Sequence, residues 1–137
     1  MKASEFIMKK LVEAGEEVEI TLLNHDTCYF TLGGSNFFLC EKLPGQYVTF
    51  DIFDIVVDFL KKQPHGRAIK GGARSSKVGY DKCQEGTVMY EIATKYYGKE
   101  IGESSFDPLF VIAAILEWAG VASNERGYME LYNVAIW

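Results

Sequence analysis

Residues 109–119 carry one charge, Glu117, and are apolar nearly all round. A helix of that pattern has no face to give to solvent, so other elements must wrap it and the rest of the chain must pack about it. Its start is signposted by Ser104-Ser105-Phe106-Asp107-Pro108, which predicts Asp107 as N-cap and Pro108 at the first helical position. The nearly uncharged run 108–116 falls far short of the roughly 20 apolar residues that span a bilayer. The helix is therefore expected at the centre of a protein core, not in a membrane. Upstream, Met89, Ile92, Ala93 and Tyr96 form one stripe of a helix over 87–97, ended by Gly98 as an αL cap.

The N-terminal half follows from local periods. Ala3, Ile7, Leu11 and Ala14 recur at helical spacing and Gly15 follows as a cap, which predicts an amphipathic helix over 3–14. Val18, Ile20 and Leu22 then alternate with polar residues, Asn24-His25-Asp26 supplies a turn, and Cys28, Phe30 and Leu32 begin a second strand. Gly33-Gly34-Ser35-Asn36 leads into a third strand over 36–42. Leu43-Pro44-Gly45-Gln46 has the Pro and Gly of a type II turn, and Val48, Phe50 and Ile52 put a fourth strand over 46–52. The result is a four-stranded antiparallel meander whose apolar face the first helix covers. From Phe53 to Lys62 the period is helical again, with Phe53, Val56, Val57 and Leu60 inward.

The fold expected is α+β in one domain over 1–137: an N-terminal helix on a four-stranded meander (1–62), a long basic connector (63–86), and a helical part with a buried apolar helix and a final strand (87–137). An apolar fraction of 48% with 14% aromatics suffices for one such core. The final strand follows a turn at Asn124-Glu125-Arg126-Gly127, with Met129 and Leu131 alternating against Tyr128 and Tyr132. Residues 118–131 resemble the passage from last helix to wing in some winged-helix domains. The resemblance stops at the preceding helix, which lacks the exposed polar side chains that meet base edges.

Charge is segregated along the chain. Lys61, Lys62, Arg67, Lys70, Arg74, Lys77 and Lys82 are half of the 14 basic residues, and among them stands one acid, Asp81. The rest of the chain is strongly acidic and the net charge is −5. Clustered ammonium and guanidinium groups repel unless solvent or an anion lies between them, so the segment is expected to receive a phosphate-bearing ligand. Arg67 and Arg74 suit bidentate phosphate contacts, Lys70, Lys77 and Lys82 add charge, Ser75 and Ser76 donate hydrogen bonds, and Gly71 and Gly72 permit backbone approach. Arg67, Lys70, Arg74 and Lys77 would align on a helix induced by binding, although Gly71-Gly72 opposes a helix in the free chain. Gly71-Gly72-Ala73-Arg74-Ser75-Ser76-Lys77 fails as a nucleotide-triphosphate loop. Ser76 stands where glycine should precede the lysine, and Val78 where the magnesium-binding hydroxyl should be. The competing expectation is a solvated connector that pairs with the acidic body.

Other chemistries have less behind them. His25, Cys28, Cys40 and Cys83 include zinc-ligand residue types, but they form no paired knuckle, and Cys40 sits in an alternating apolar run where a thiol packs as a hydrophobe. Asp51, Asp54 and Asp58 read better as complements of a helix N-terminus than as a cation site. Neither His25 nor His65 has a local nucleophile partner. No cofactor, metal or catalytic residue is expected. Three cysteines and a charged N-terminus without a signal-peptide core point to the cytoplasm and away from a membrane.

Two functions are compatible with this charge pattern. One is a non-catalytic binding protein that contacts nucleic acid or a nucleotide through the connector. The other is a small acidic interaction or inhibitor module, of the kind by which phages block nucleic-acid-handling enzymes, that meets a basic partner protein through Glu16, Glu17, Glu19, Asp54 and Asp58.

Overall fold

Helix α4 (Leu109–Trp118) buries seven of its ten residues and lies at the centre of the molecule. The computed structural model describes residues 1–45 and 47–137. Around α4 the chain builds α1 (Ala3–Glu13), β1 (Glu17–Thr21), β2 (Thr27–Leu32), β3 (Phe37–Cys40), β4 (Val48–Thr49) and α2 (Asp51–Lys61). After these come β5 (Arg67–Ile69), α3 (Val88–Glu91), a π-helical turn (Ile92–Tyr96), then β6 (Ala122–Asn124) and β7 (Tyr128–Leu131) beyond α4. The fold is α+β, and the first four strands form an antiparallel meander in the order β1-β2-β3-β4.

The meander is amphipathic by strand alternation. Ile20, Cys28, Phe30, Phe38, Cys40 and Val48 point into the core, while Glu17, Glu19, Tyr29 and Leu39 face out. Ala3, Ile7 and Leu11 of α1 close over one end of that face, as their spacing predicts. Phe30 and Phe38 meet edge-on at 5.1 Å, Phe38 stacks on Phe53 at 5.5 Å, and Phe30 meets Trp118 edge-on at 5.8 Å. Each buried aromatic removes on the order of 150–250 Å² from water, so this cluster ties meander, α2 and α4 into one core. Buried apolar residues run without a break from Ala3 to Leu131.

Three local features differ from the sequence expectation. The fourth strand is only Val48–Thr49, and Asp51 already opens α2. Ile52 fits the alternation of 48 and 50, but it equally starts the helical stripe Ile52, Phe53, Val56, Val57, Leu60, and that longer pattern wins. The turn at 43–46 includes Gln46, which lies outside the described residues; Gly45 beside it has φ +73°, the left-handed value that a type II turn asks of glycine. The expected helix over 87–97 becomes a single α turn followed by a π turn, in which Tyr97 N–H bonds to Ile92 O; beyond it Lys99 N–H bonds to Ala93 O. Asp107 does cap α4, but from one residue earlier than expected: its Oδ1 accepts from Leu109 N–H at 3.0 Å, while Pro108 holds the cap position.

A second sheet, of order β5-β7-β6, was visible beforehand only in its last strand. In it β5 pairs with β7 on the side away from β6, both pairings antiparallel.

Candidate phosphate site

Residues 70–87 leave β5 and return to α3 without regular structure beyond one 3-10 turn at Asp81–Cys83. Hydrogen bonds pin this loop to three other parts of the chain. At its start Lys70 N–H bonds to Gly127 O and Lys70 O accepts from Met89 N–H, both at 2.9 Å. Ala73 N–H reaches Asp107 Oδ2 at 2.8 Å, and Val78 N–H reaches Glu103 O at 2.9 Å. Within the loop Gly72 N–H bonds to Lys82 O, and Lys82 N–H to Ser76 Oγ. Val78 and Cys83 are fully buried beneath it. Gly71 makes this closure possible: it has φ +68°, and a Cβ there would lie 2.4 Å from Lys82 O. Gly71 therefore serves the loop's own packing.

Pinned in this way, the loop forms one wall of two adjoining cavities. The larger, about 640 Å³, is lined by the cations Lys42, Lys70, Arg74, Lys82 and Arg126. The smaller, about 530 Å³, adds Lys77. Both share Lys42, Arg74, Ser75, Ser76, Asp107 and Phe110, so they form one continuous groove. The cations arrive from separate places: Lys42 just beyond β3, Arg126 from the β6–β7 turn, and the others from the loop. Two carboxylates, Asp26 and Asp107, also line the groove. Asp107 is already committed, since it accepts the N–H groups of both Ala73 and Leu109.

Among the described residues, the N–H groups of Arg74, Ser75, Ser76 and Lys77 make no hydrogen bond within the protein. These four consecutive donors flank the groove. Gly72 and Ala73 N–H, by contrast, are spent on Lys82 O and Asp107.

Of the residues predicted from sequence, Lys70, Gly71, Gly72, Arg74, Ser75, Ser76 and Lys82 line the larger cavity and Lys77 the smaller. Arg67 does not join them. It stands on β5, where its guanidinium lies 3.8 Å from the Tyr128 ring centroid and 3.7 Å from Glu130. In the absence of a ligand the basic groups of the loop meet through its irregular fold. Lys42, Arg126, Asp107 and Phe110 were not anticipated, being remote from the loop in sequence.

Lys70 is half-buried, and burial lowers its pKa below the ordinary lysine value, opposed by the charges of Glu117 and Glu125. The hydroxyl of Tyr97, whose ring meets Phe106, is buried without a hydrogen-bond partner among the described residues. Its pKa is raised by that burial, and further by Tyr96 and by the negative charge of Asp107.

The other predicted clusters lie elsewhere. Cys28 and Cys40 place their sulfurs 3.3 Å apart across β2 and β3, and Cys83 is buried apart as a free thiol. Among the described residues no group of three or more His, Cys, Asp or Glu is placed to hold a metal. Asp54 Oδ1 accepts the N–H of Ser4, and Asp58 lies 3.5 Å from Lys61. Among the described residues no helix is long and apolar enough to cross a membrane. No protein-family model, curated protein or solved structure matches the chain.

Proposed function

We propose that this protein binds a phosphate-bearing ligand in the groove between the 70–87 loop, the end of β3 and the β6–β7 turn, without performing chemistry on it. One observation carries the reading: Lys42, Lys70, Arg74, Lys82 and Arg126 converge on one concavity in a protein of net charge −5. Holding like charges around a shared space costs free energy unless an anion occupies it. The pinned loop keeps them there, so little ordering entropy remains to be lost on binding. Arg74 offers a bidentate fork, and Ser75 with the free amides of 74–77 offers neutral donors.

Binding of a labelled oligonucleotide and of inorganic polyphosphate, followed by anisotropy across a salt series, tests this. Each phosphate neutralised adds about 0.7–0.9 to the log–log salt slope. Engagement of all six cations of the groove costs on the order of several hundred- to a few thousand-fold in affinity between roughly 50 and 200 mM salt. Arg74→Ala with Lys82→Ala weakens binding, while neutralising Glu16, Glu17 and Glu19 leaves it unchanged. A salt-independent affinity, or the reverse response of the two variant sets, overturns the proposal.

A further inference from the structure

Phe110 is 38% exposed on a helix that buries seven of its ten residues, and it borders both cavities. Phe106, 37% exposed, borders the smaller one, its ring edge-on to Tyr97 with centroids 6.3 Å apart. Phosphate alone has no use for such rings, since exposed aromatic surface costs free energy and offers an anion nothing. A planar base does use them: stacking on an aromatic side chain is tolerant of sequence and is the common partner of a cationic groove. In a duplex the base faces are already stacked on one another. Reading a duplex through its major groove calls for a protruding helix or ribbon, and α4, the helix that borders the groove, buries seven of its ten residues. The groove is also longer than one phosphate needs, since two cavities of about 530 and 640 Å³ adjoin with Arg74 and Lys42 at their junction.

We infer that the groove takes single-stranded nucleic acid, with Arg74 and the lysines on either side holding successive phosphates, one base stacked on Phe110 and a neighbouring base on Phe106. This deepens, and rests on, the reading of the groove as a phosphate site.

Three fluorescent probes of equal length separate the two claims: an oligothymidine, an abasic strand with the same phosphates, and a duplex. The wild-type protein is expected to bind the oligothymidine more tightly than either of the others. Phe110→Ala should weaken oligothymidine binding by about 5- to 150-fold and leave the abasic strand unaffected. Phe110→Leu keeps apolar bulk without a ring and should reproduce most of that loss, which guards against an Ala variant that folds poorly. Arg74→Ala should weaken both single strands alike. Equal affinity for the abasic strand and the oligothymidine, preference for the duplex, or indifference to both Phe110 variants overturns the inference, while the phosphate reading survives if Arg74→Ala still weakens binding. Failure of all three probes and of polyphosphate to bind overturns both.

Discussion

The carboxylate of Asp107 spans 34 residues of chain to accept the N–H of Ala73 at 2.8 Å, while its other oxygen holds Leu109 N–H at the start of α4. One side chain thus fixes the basic loop to the central helix. Asp107→Ala leaves two N–H groups to find water, which costs about 1–3 kcal/mol if they stay buried. Chemical denaturation should show that loss, and hydrogen exchange should show the amide of Ala73 losing protection. An unchanged midpoint would mean that the loop is held by its other bonds alone.

Gly71 and Gly72 are neighbours with opposite tolerances. Gly71→Ala must accept φ +68° and a clash with Lys82 O, whereas at Gly72 the nearest atom to an added Cβ is Asp107 Oδ2 at 3.5 Å. The first substitution should cost at least about 1–3 kcal/mol and displace Lys82 from the groove, weakening ligand binding; the second should be near neutral. Paired denaturation and anisotropy measurements distinguish them.

Lys70 sets stability against binding. Its folded-state pKa lies below the unfolded value of 10.5, so the penalty of holding it charged is present at neutral pH and is relieved as pH rises through the folded pKa towards 10.5. Lys70→Met removes that penalty. The variant should unfold at higher denaturant than wild type at pH 7 and bind polyphosphate more weakly, while a variant that loses both would show that Lys70 is paired more tightly than its burial implies.

The thiol of Cys28 is pushed up to about 12 by burial and by the neighbouring Cys40 thiol, from 9.0 in an unfolded chain. The folded state therefore favours the neutral thiol. That contribution is intact below pH 9 and is lost as pH rises from about 9 towards 12, because the unfolded chain ionises first. The denaturation midpoint should fall over this window, and Cys28→Ala should flatten the fall. At pH 8 the native protein should resist iodoacetamide, since its three cysteines are buried and free.

Tyr96 reaches across from the π turn to β4, where its hydroxyl accepts Thr49 N–H at 2.9 Å. Tyr96→Phe strands that N–H and should cost about 1–2 kcal/mol, with faster exchange of the Thr49 amide than in wild type. Unaltered exchange at Thr49 would show that β4 does not depend on the π turn.

The elements most readable in the sequence were those whose residues carry their own explanation. An all-apolar helix at 109–119 has to be central, and alternation at 18–22 and 28–32 has to be a half-buried sheet. Short elements were less readable: β5 shows only Ala68 between two exposed neighbours, too little to reveal a period, and the π turn keeps the same apolar stripe as an α-helix. At the site, the loop's cations were visible as a charge run, but Lys42 and Arg126 join them only through tertiary folding. Arg67 carries the same charge in the same run, yet strand pairing turns it onto Tyr128. The bonds that engage Gly72 N–H and Ala73 N–H, to Lys82 O and Asp107, are likewise set by tertiary folding.

The basic loop is bonded at once to Asp107, Glu103 and Gly127, so it belongs to the same cooperative unit as the core beneath it. Any ligand that fills the groove then raises the melting temperature of the whole molecule, in proportion to the logarithm of its concentration over its dissociation constant. The protein's own thermal denaturation becomes a selective readout: oligonucleotides and phosphate compounds ranked by the shift they produce would be ordered by their fit to the groove, with no label and no prior choice of substrate.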